Sequence, residues 1–121
     1  MTTATKLSTG QCAQAMAGSE FGEDVRKAAG RVAVILTQSW CPQWPMMRLW
    51  LGAALAEADA KAFYVEYDNE PFFEQFMVWK EDVLGNRSVP YVRYYRDGVL
   101  VAESNYLSKG AFVASFSRGS R

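Results

Sequence analysis

Histidine is absent from this chain of 121 residues. Its absence removes the Ser-His and Cys-His nucleophile pairs, the commonest general base and the commonest metal ligand. Cysteine is scarce: Cys12 and Cys41 are the only two, too few for a zinc cage without histidine partners. No loop carries the spaced Asp, Asn and Gly residues of a calcium site, so neither a metal nor a cofactor is expected. Charge of either sign is not in excess, with 13 Lys and Arg against 13 Asp and Glu. No basic stripe interleaves with aromatics, which argues against a nucleic-acid partner. No apolar run is long enough to span a bilayer, and the start lacks a signal-peptide pattern despite Ala15-Met16-Ala17. The expected compartment is the cytoplasm, with no membrane partner.

What the chain does have is apolar and aromatic side chains. Half its residues are hydrophobic, including four Trp, six Tyr and seven Phe, which is the composition of a folding chain rather than a disordered one. A chain of this size makes one domain and buries roughly two-thirds of the surface its unfolded form exposes.

The reading along the chain leaves residues 1–18 as an uncertain amino-terminal segment, in which Ser8 or Thr9 would cap a short helix through Cys12 and Met16. The domain proper is expected over 19–117, with 118–121 as a fraying tail. From Glu20, residues Phe21, Val25 and Ala28 suggest one helical face stopped at Gly30. Val32 to Leu36 is an unbroken apolar run, as in a strand covered on both faces. Met47, Trp50, Leu51, Ala54, Leu55 and Ala58 recur at helical spacing, with Glu57 and Lys61 placed to pair one turn apart.

Phe63 to Tyr67 reads as a strand, and Asp68 or Asn69 would cap a helix that carries Phe72, Phe76, Trp79 and Val83 inward until Gly85. Tyr91 to Tyr95 and Val99 to Glu103 read as an antiparallel hairpin around Asp97-Gly98. Arg93 and Arg96 on it read as solvated charges. Ser108 would cap a last helix with Phe112 and Phe116 inward. This order implies an α/β fold, a central mixed β-sheet flanked by helices on both faces.

Cys41 lies within Trp40-Cys41-Pro42-Gln43-Trp44, where a buried strand ends and a helix begins. Unpaired amides and the dipole at a helix amino terminus favour a thiolate, so the position suits a nucleophile. The bland alternative is a half-buried cysteine on a fold without that chemistry. Cys12 reads either as a remote resolving thiol or as a small apolar filler. Trp40, Pro42, Trp44, Met46 and Met47 cluster near Cys41, and form either a patch for an extended peptide or simply core. Trp40 and Pro42 are expected exposed and Met47 buried; Trp44 is open.

At this junction the chain resembles the thioredoxin family, whose motif there is Trp-Cys-Gly-Pro-Cys and whose second landmark is a cis-proline after a β-branched residue, here Val89-Pro90. The Asp24-Val25 pair, Tyr67-Asp68, Gly98 and Leu107-Ser108-Lys109-Gly110 correspond in order and spacing, from about Phe21 to Phe116. The resemblance implies a thioredoxin-like fold with Pro90 against Cys41 and a backbone beside it where an extended substrate pairs. It implies Val89 and Pro90 as substrate contacts, beside the patch residues Trp40, Pro42 and Trp44, and a protein or glutathione disulfide as partner.

The departures from the family limit what carries over. Trp44 stands where the resolving cysteine would be, Ile35 replaces the buried proton-accepting Asp, and Tyr64 replaces the Lys that partners it. Pro42 directly after the cysteine is similar to the Cys-Pro motif of glutaredoxins, although no Gly-Gly glutathione signature follows the hairpin. Two functions are expected from this pattern. One is thiol–disulfide exchange through Cys41 alone, completed by an external thiol. The other is a non-redox adaptor or chaperone-like module that binds an extended protein segment.

Overall fold

A computed structural model describes residues 4–117. The expected tail 118–121 lies outside the described residues. The chain runs β1 (Thr5–Lys6), α1 (Thr9–Gly18), α2 (Glu23–Arg26), β2 (Arg31–Thr37), α3 (Gln43–Ala58), β3 (Lys61–Glu66), a 3-10 turn (Tyr67–Asn69), α4 (Phe73–Val78) with a π-helical turn (Trp79–Val83), β4 (Tyr91–Arg96), β5 (Val99–Ser104) and α5 (Lys109–Ser115).

The sheet has the order β1-β3-β2-β4-β5. β1 and β2 pair in parallel with β3, while β4 pairs antiparallel with both β2 and β5. Strand side chains alternate between faces, and the core divides accordingly. Val32, Val34, Leu36, Phe63, Val65, Tyr91 and Tyr95 pack with Cys12, Phe21, Val25, Phe76 and Trp79 on one face. Ala33, Ile35, Ala62, Val92 and Tyr94 pack with Cys41, Met47, Leu51, Phe112 and Phe116 on the other. Helices thus cover both faces, and Val32 to Leu36 is wholly buried, as a continuous apolar run in a central strand requires.

Local chemistry explains the ends of the elements. Ser8 caps α1 in a capping box with Gln11. Leu7, Cys12 and Ala15 bury into the first face, so the segment before Gly18 contributes to the sheet and core. Pro45 sits within the first turn of α3, where its missing N–H leaves no bond unmade. That helix stops at Asp59, whose φ of 53° is left-handed, and Ala60 N–H donates back to Leu55 O at 2.9 Å. Asp97 and Gly98, with φ of 53° and 84°, supply the positive angles of the hairpin turn. A β-carbon at Gly98 would also come within 2.8 Å of the Lys27 side chain.

Several expectations need correction. The helix proposed from Glu20 is only Glu23–Arg26, and Ala28 is exposed beyond it. Glu57 pairs with Lys109 at 2.8 Å rather than with Lys61, whose ammonium lies over the Phe63 ring. Neither Asp68 nor Asn69 caps α4, which starts after Phe72 without a side-chain cap.

Within the π-helical turn the Leu84 N–H reaches Trp79 O, five residues back, at 3.2 Å. The wider turn brings Leu84 rather than Val83 against the core. Arg93 is not solvated. It is 5% exposed, and its guanidinium donates to Tyr91 Oη, Tyr95 Oη and Glu20 Oε2, each at 2.8 Å. Arg96 donates to Phe116 O at 2.8 Å.

Candidate functional site

The site lies where β2 ends and α3 begins. The Cys41 amide closes a turn onto Gln38 O at 3.2 Å, and Cys41 O accepts the Trp44 amide at 3.2 Å. Two neighbours on the 3-10 turn anchor this loop. Asp68 accepts from the Ser39 amide at 2.8 Å and from the Ser39 hydroxyl at 2.6 Å. Gln38 donates to Tyr67 Oη at 3.1 Å and accepts from the Trp40 indole at 2.5 Å. Trp40 is 65% exposed, yet a side chain tied to a buried tyrosine holds its polar edge. Burial pushes the Tyr67 hydroxyl above its ordinary pKa, with the Gln38 hydrogen bond opposing.

Cys41 itself is 3% exposed. Its Sγ lies 3.6 Å from Val89 O and donates to it, a separation suited to the larger sulfur atom. The Val89–Pro90 peptide bond is cis. Two segments 48 residues apart in sequence therefore meet at the sulfur. Of the expected contact residues, Trp40 and Pro42 are exposed, Val89 is half-buried, and Trp44 and Pro90 are buried.

Trp44 requires a correction as a binding surface. It is 2% exposed, and its indole donates to Glu66 Oε2 at 2.8 Å. Its ring packs on Tyr64, with the Arg48 guanidinium 5.4 Å from the Trp44 centroid and 5.9 Å from that of Tyr64. Met47 is buried, and Met46 and Leu49 are exposed on the outer side of α3. Ile35 is fully buried in the same cluster as Cys41, so no carboxylate occupies that position.

Cys12 cannot reach this site. It is fully buried in the cluster on the opposite face of the sheet. Burial, and then the nearby Glu70, push its thiol up to about 12.

Residues that the sequence reading passed over complete the site. Lys80, fully buried, donates to Asn86 O and Ser88 O at 2.8 Å each, in the segment that leads to Val89. Asn105 donates to Ser88 O at 3.3 Å and to Pro90 O at 3.0 Å. The available signal was Lys80 itself, a cation four residues after Phe76 on an otherwise apolar helical face.

No family model matches this sequence, and no curated protein matches it. Solved structures do. Thioredoxin f2 of Chlamydomonas reinhardtii superposes with a TM-score of 0.66 at 15% identity, over 94% of this chain and 94% of that one. Thioredoxin O2 of Arabidopsis thaliana in its oxidised state gives a TM-score of 0.64 at 15% identity, over 91% of this chain and 88% of that one. A mutant thioredoxin of Halobacterium salinarum gives 0.61 at 20% identity, over 78% of this chain and 79% of that one. The strand order, the helices on both faces and these superpositions together establish that the chain has the thioredoxin-like fold.

Proposed function

We propose that this protein performs thiol–disulfide exchange through Cys41 as its single nucleophile, on a protein or glutathione disulfide. The observation that carries the reading is the meeting of Cys41 Sγ with Val89 O at 3.6 Å, at the start of a 16-residue helix. The Cys41 thiol gives up its proton to solvent and with it the bond to Val89 O; the thiolate attacks one sulfur of the partner disulfide, the other sulfur leaves as a thiolate, and a mixed disulfide remains on Cys41. An external thiolate then attacks that bond and regenerates Cys41. No neighbouring thiol does so, because Trp44 fills the adjacent position and Cys12 lies across the sheet. Exposed Trp40 and Pro42 and the Val89 backbone form the rim a partner meets. No helix among the described residues is long and apolar enough to cross a membrane, and the proposed setting is the cytoplasm.

Wild type, Cys41→Ser and Cys12→Ser are treated with oxidised glutathione at neutral pH, following adduct mass and alkylation rate against pH. A glutathione adduct on wild type and Cys12→Ser, absent from Cys41→Ser and released by added thiol, is expected. Reaction of Cys41 no faster than a free cysteine removes this reading. It would favour a binding module instead, which the exposed Trp40, Met46 and Leu49 also suit.

A further inference from the structure

Lysine is almost never fully buried unless its ammonium is paired. Lys80 has no exposed surface, and its hydrogen-bond partners are main-chain carbonyls rather than a carboxylate. Two of its donors go to Asn86 O and Ser88 O, both at 2.8 Å, and its ammonium lies 5.6 Å from the Tyr91 ring centroid. A methionine or leucine would pack there without the desolvation cost of a charge. What the charge supplies is a hold on one short stretch of backbone.

Asn105, beyond the end of β5, holds the same stretch as well. Its amide donates to Ser88 O, to Pro90 O and to the Asn86 side chain. The Asn86 amide returns a bond to Asn105 Oδ1 at 3.1 Å, and Asn86 Oδ1 also accepts the Ser88 amide at 3.0 Å. The carbonyls of Ser88 and Pro90 are thus both taken by the clamp. The carbonyl between them, that of Val89, accepts the Cys41 thiol.

We propose that Lys80, joined by Asn105, is a positioning residue for the chemistry of Cys41. It acts through the Asn86 and Ser88 carbonyls to keep Val89 O at the sulfur. This inference rests on the exchange reading of Cys41 for its rate effect, but not for its geometry. Lys80 touches neither the thiol nor a partner.

The test uses the full chain and two readouts. The first is the infrared S–H stretch of Cys41, isolated by subtracting the spectrum of the matching Cys41→Ser protein. The second is the rate of exchange with oxidised glutathione. Lys80→Met keeps the apolar stem and loses the donors. It is expected to move the S–H band toward that of an unbonded thiol and to speed exchange at neutral pH roughly fivefold, because a carbonyl that accepts from the neutral thiol holds back the attacking thiolate. Lys80→Arg, which keeps charge and donors, is expected to retain the wild-type band and to stay within about threefold of the wild-type rate.

A folded Lys80→Met protein with an unchanged band and rate overturns the proposal. An equal change of band and rate in Lys80→Met and Lys80→Arg also overturns it, since packing rather than hydrogen bonding would then be the cause. If Lys80→Met does not fold, Asn105→Ala decides from the half-buried side of the clamp, where a shifted band supports the proposal and an unchanged one removes it. Wild type that does not exchange at all defeats the functional reading, while the S–H band still reports whether Lys80 holds Val89 O at the thiol.

Discussion

Trp44 and Tyr64 pack against each other with ring centroids 5.6 Å apart and planes inclined at 38°. In the sequence resemblance to thioredoxins these residues correspond to the resolving cysteine and the buried lysine. Beneath the same helix, Ile35 corresponds there to the aspartate and is fully buried. The three side chains therefore form one packed arrangement, an aromatic pair and an aliphatic residue, at positions for which the resemblance implies a second thiol and a proton-handling pair. Trp44→Phe keeps the ring on Tyr64 and removes the indole bond to Glu66. We expect a loss of about 1–2 kcal/mol in denaturant-induced unfolding, with the Cys41 exchange rate retained within about threefold. A tenfold slower exchange without a stability change would instead make Trp44 a partner contact.

Cys12 and Cys41 belong to clusters on opposite faces of the sheet. Native protein treated with iodoacetamide at pH 8 should gain its adduct at Cys41, with Cys12 labelled only as fast as the protein unfolds. The folded-state thiol of Cys12 is raised to about 12. It therefore contributes stability that is complete below about pH 9 and is lost as pH rises toward 12. Peptide mapping that finds Cys12 modified as quickly as Cys41 would contradict the burial argument.

Arg93 carries a different kind of dependence. Its guanidinium is buried against two tyrosine hydroxyls and Glu20, and the Tyr91 hydroxyl donates to Glu103. Truncating Arg93→Ala strands these partners, and urea unfolding should show a loss of about 3–5 kcal/mol. Since Arg93 lies on the sheet face away from Cys41, the folded fraction should exchange at the wild-type rate. A loss below about 1 kcal/mol would place Arg93 among ordinary surface charges.

Lys80 links the site to pH. Burial, partly opposed by Glu81, brings its ammonium down to about 8 in the folded protein. Between about pH 8 and 10.5 the unfolded chain keeps a proton that the folded chain has released, so this residue makes stability rise with pH. The difference in unfolding free energy between wild type and Lys80→Met should grow by up to about 1.4 kcal/mol per pH unit in that window. Comparing the two proteins cancels the opposing contribution of Cys12. A difference that stays flat from pH 8 to pH 10 would mean that Lys80 remains charged.

Much of this was legible one residue at a time. The run Val32 to Leu36 has to be covered on both faces, Asp97-Gly98 has to turn, and Ser108 caps α5 through a bond to the Ala111 amide. Cys41 stood out because little else in the chain is nucleophilic. The two-residue β1 was not legible, because so short a strand is defined only by its pairing to β3. Nor was the π-helical turn, since one added residue reverses which of Val83 and Leu84 packs inward.

By itself, then, the sequence determined the order of helices and strands from α2 to α5, the junction that carries Cys41 and the lack of a second thiol beside it. These follow from periodicity, capping and residue identity, which act over a few residues. The tertiary structure alone decided that Trp44 is buried on Tyr64, that Cys12 is across the sheet, that Arg93 is internal and that Lys80 holds the backbone before Val89. The first three depend on packing or bonding with residues distant in the chain, and the last on a turn that folds Asn86 and Ser88 back over Lys80, none of which periodicity over a few residues encodes.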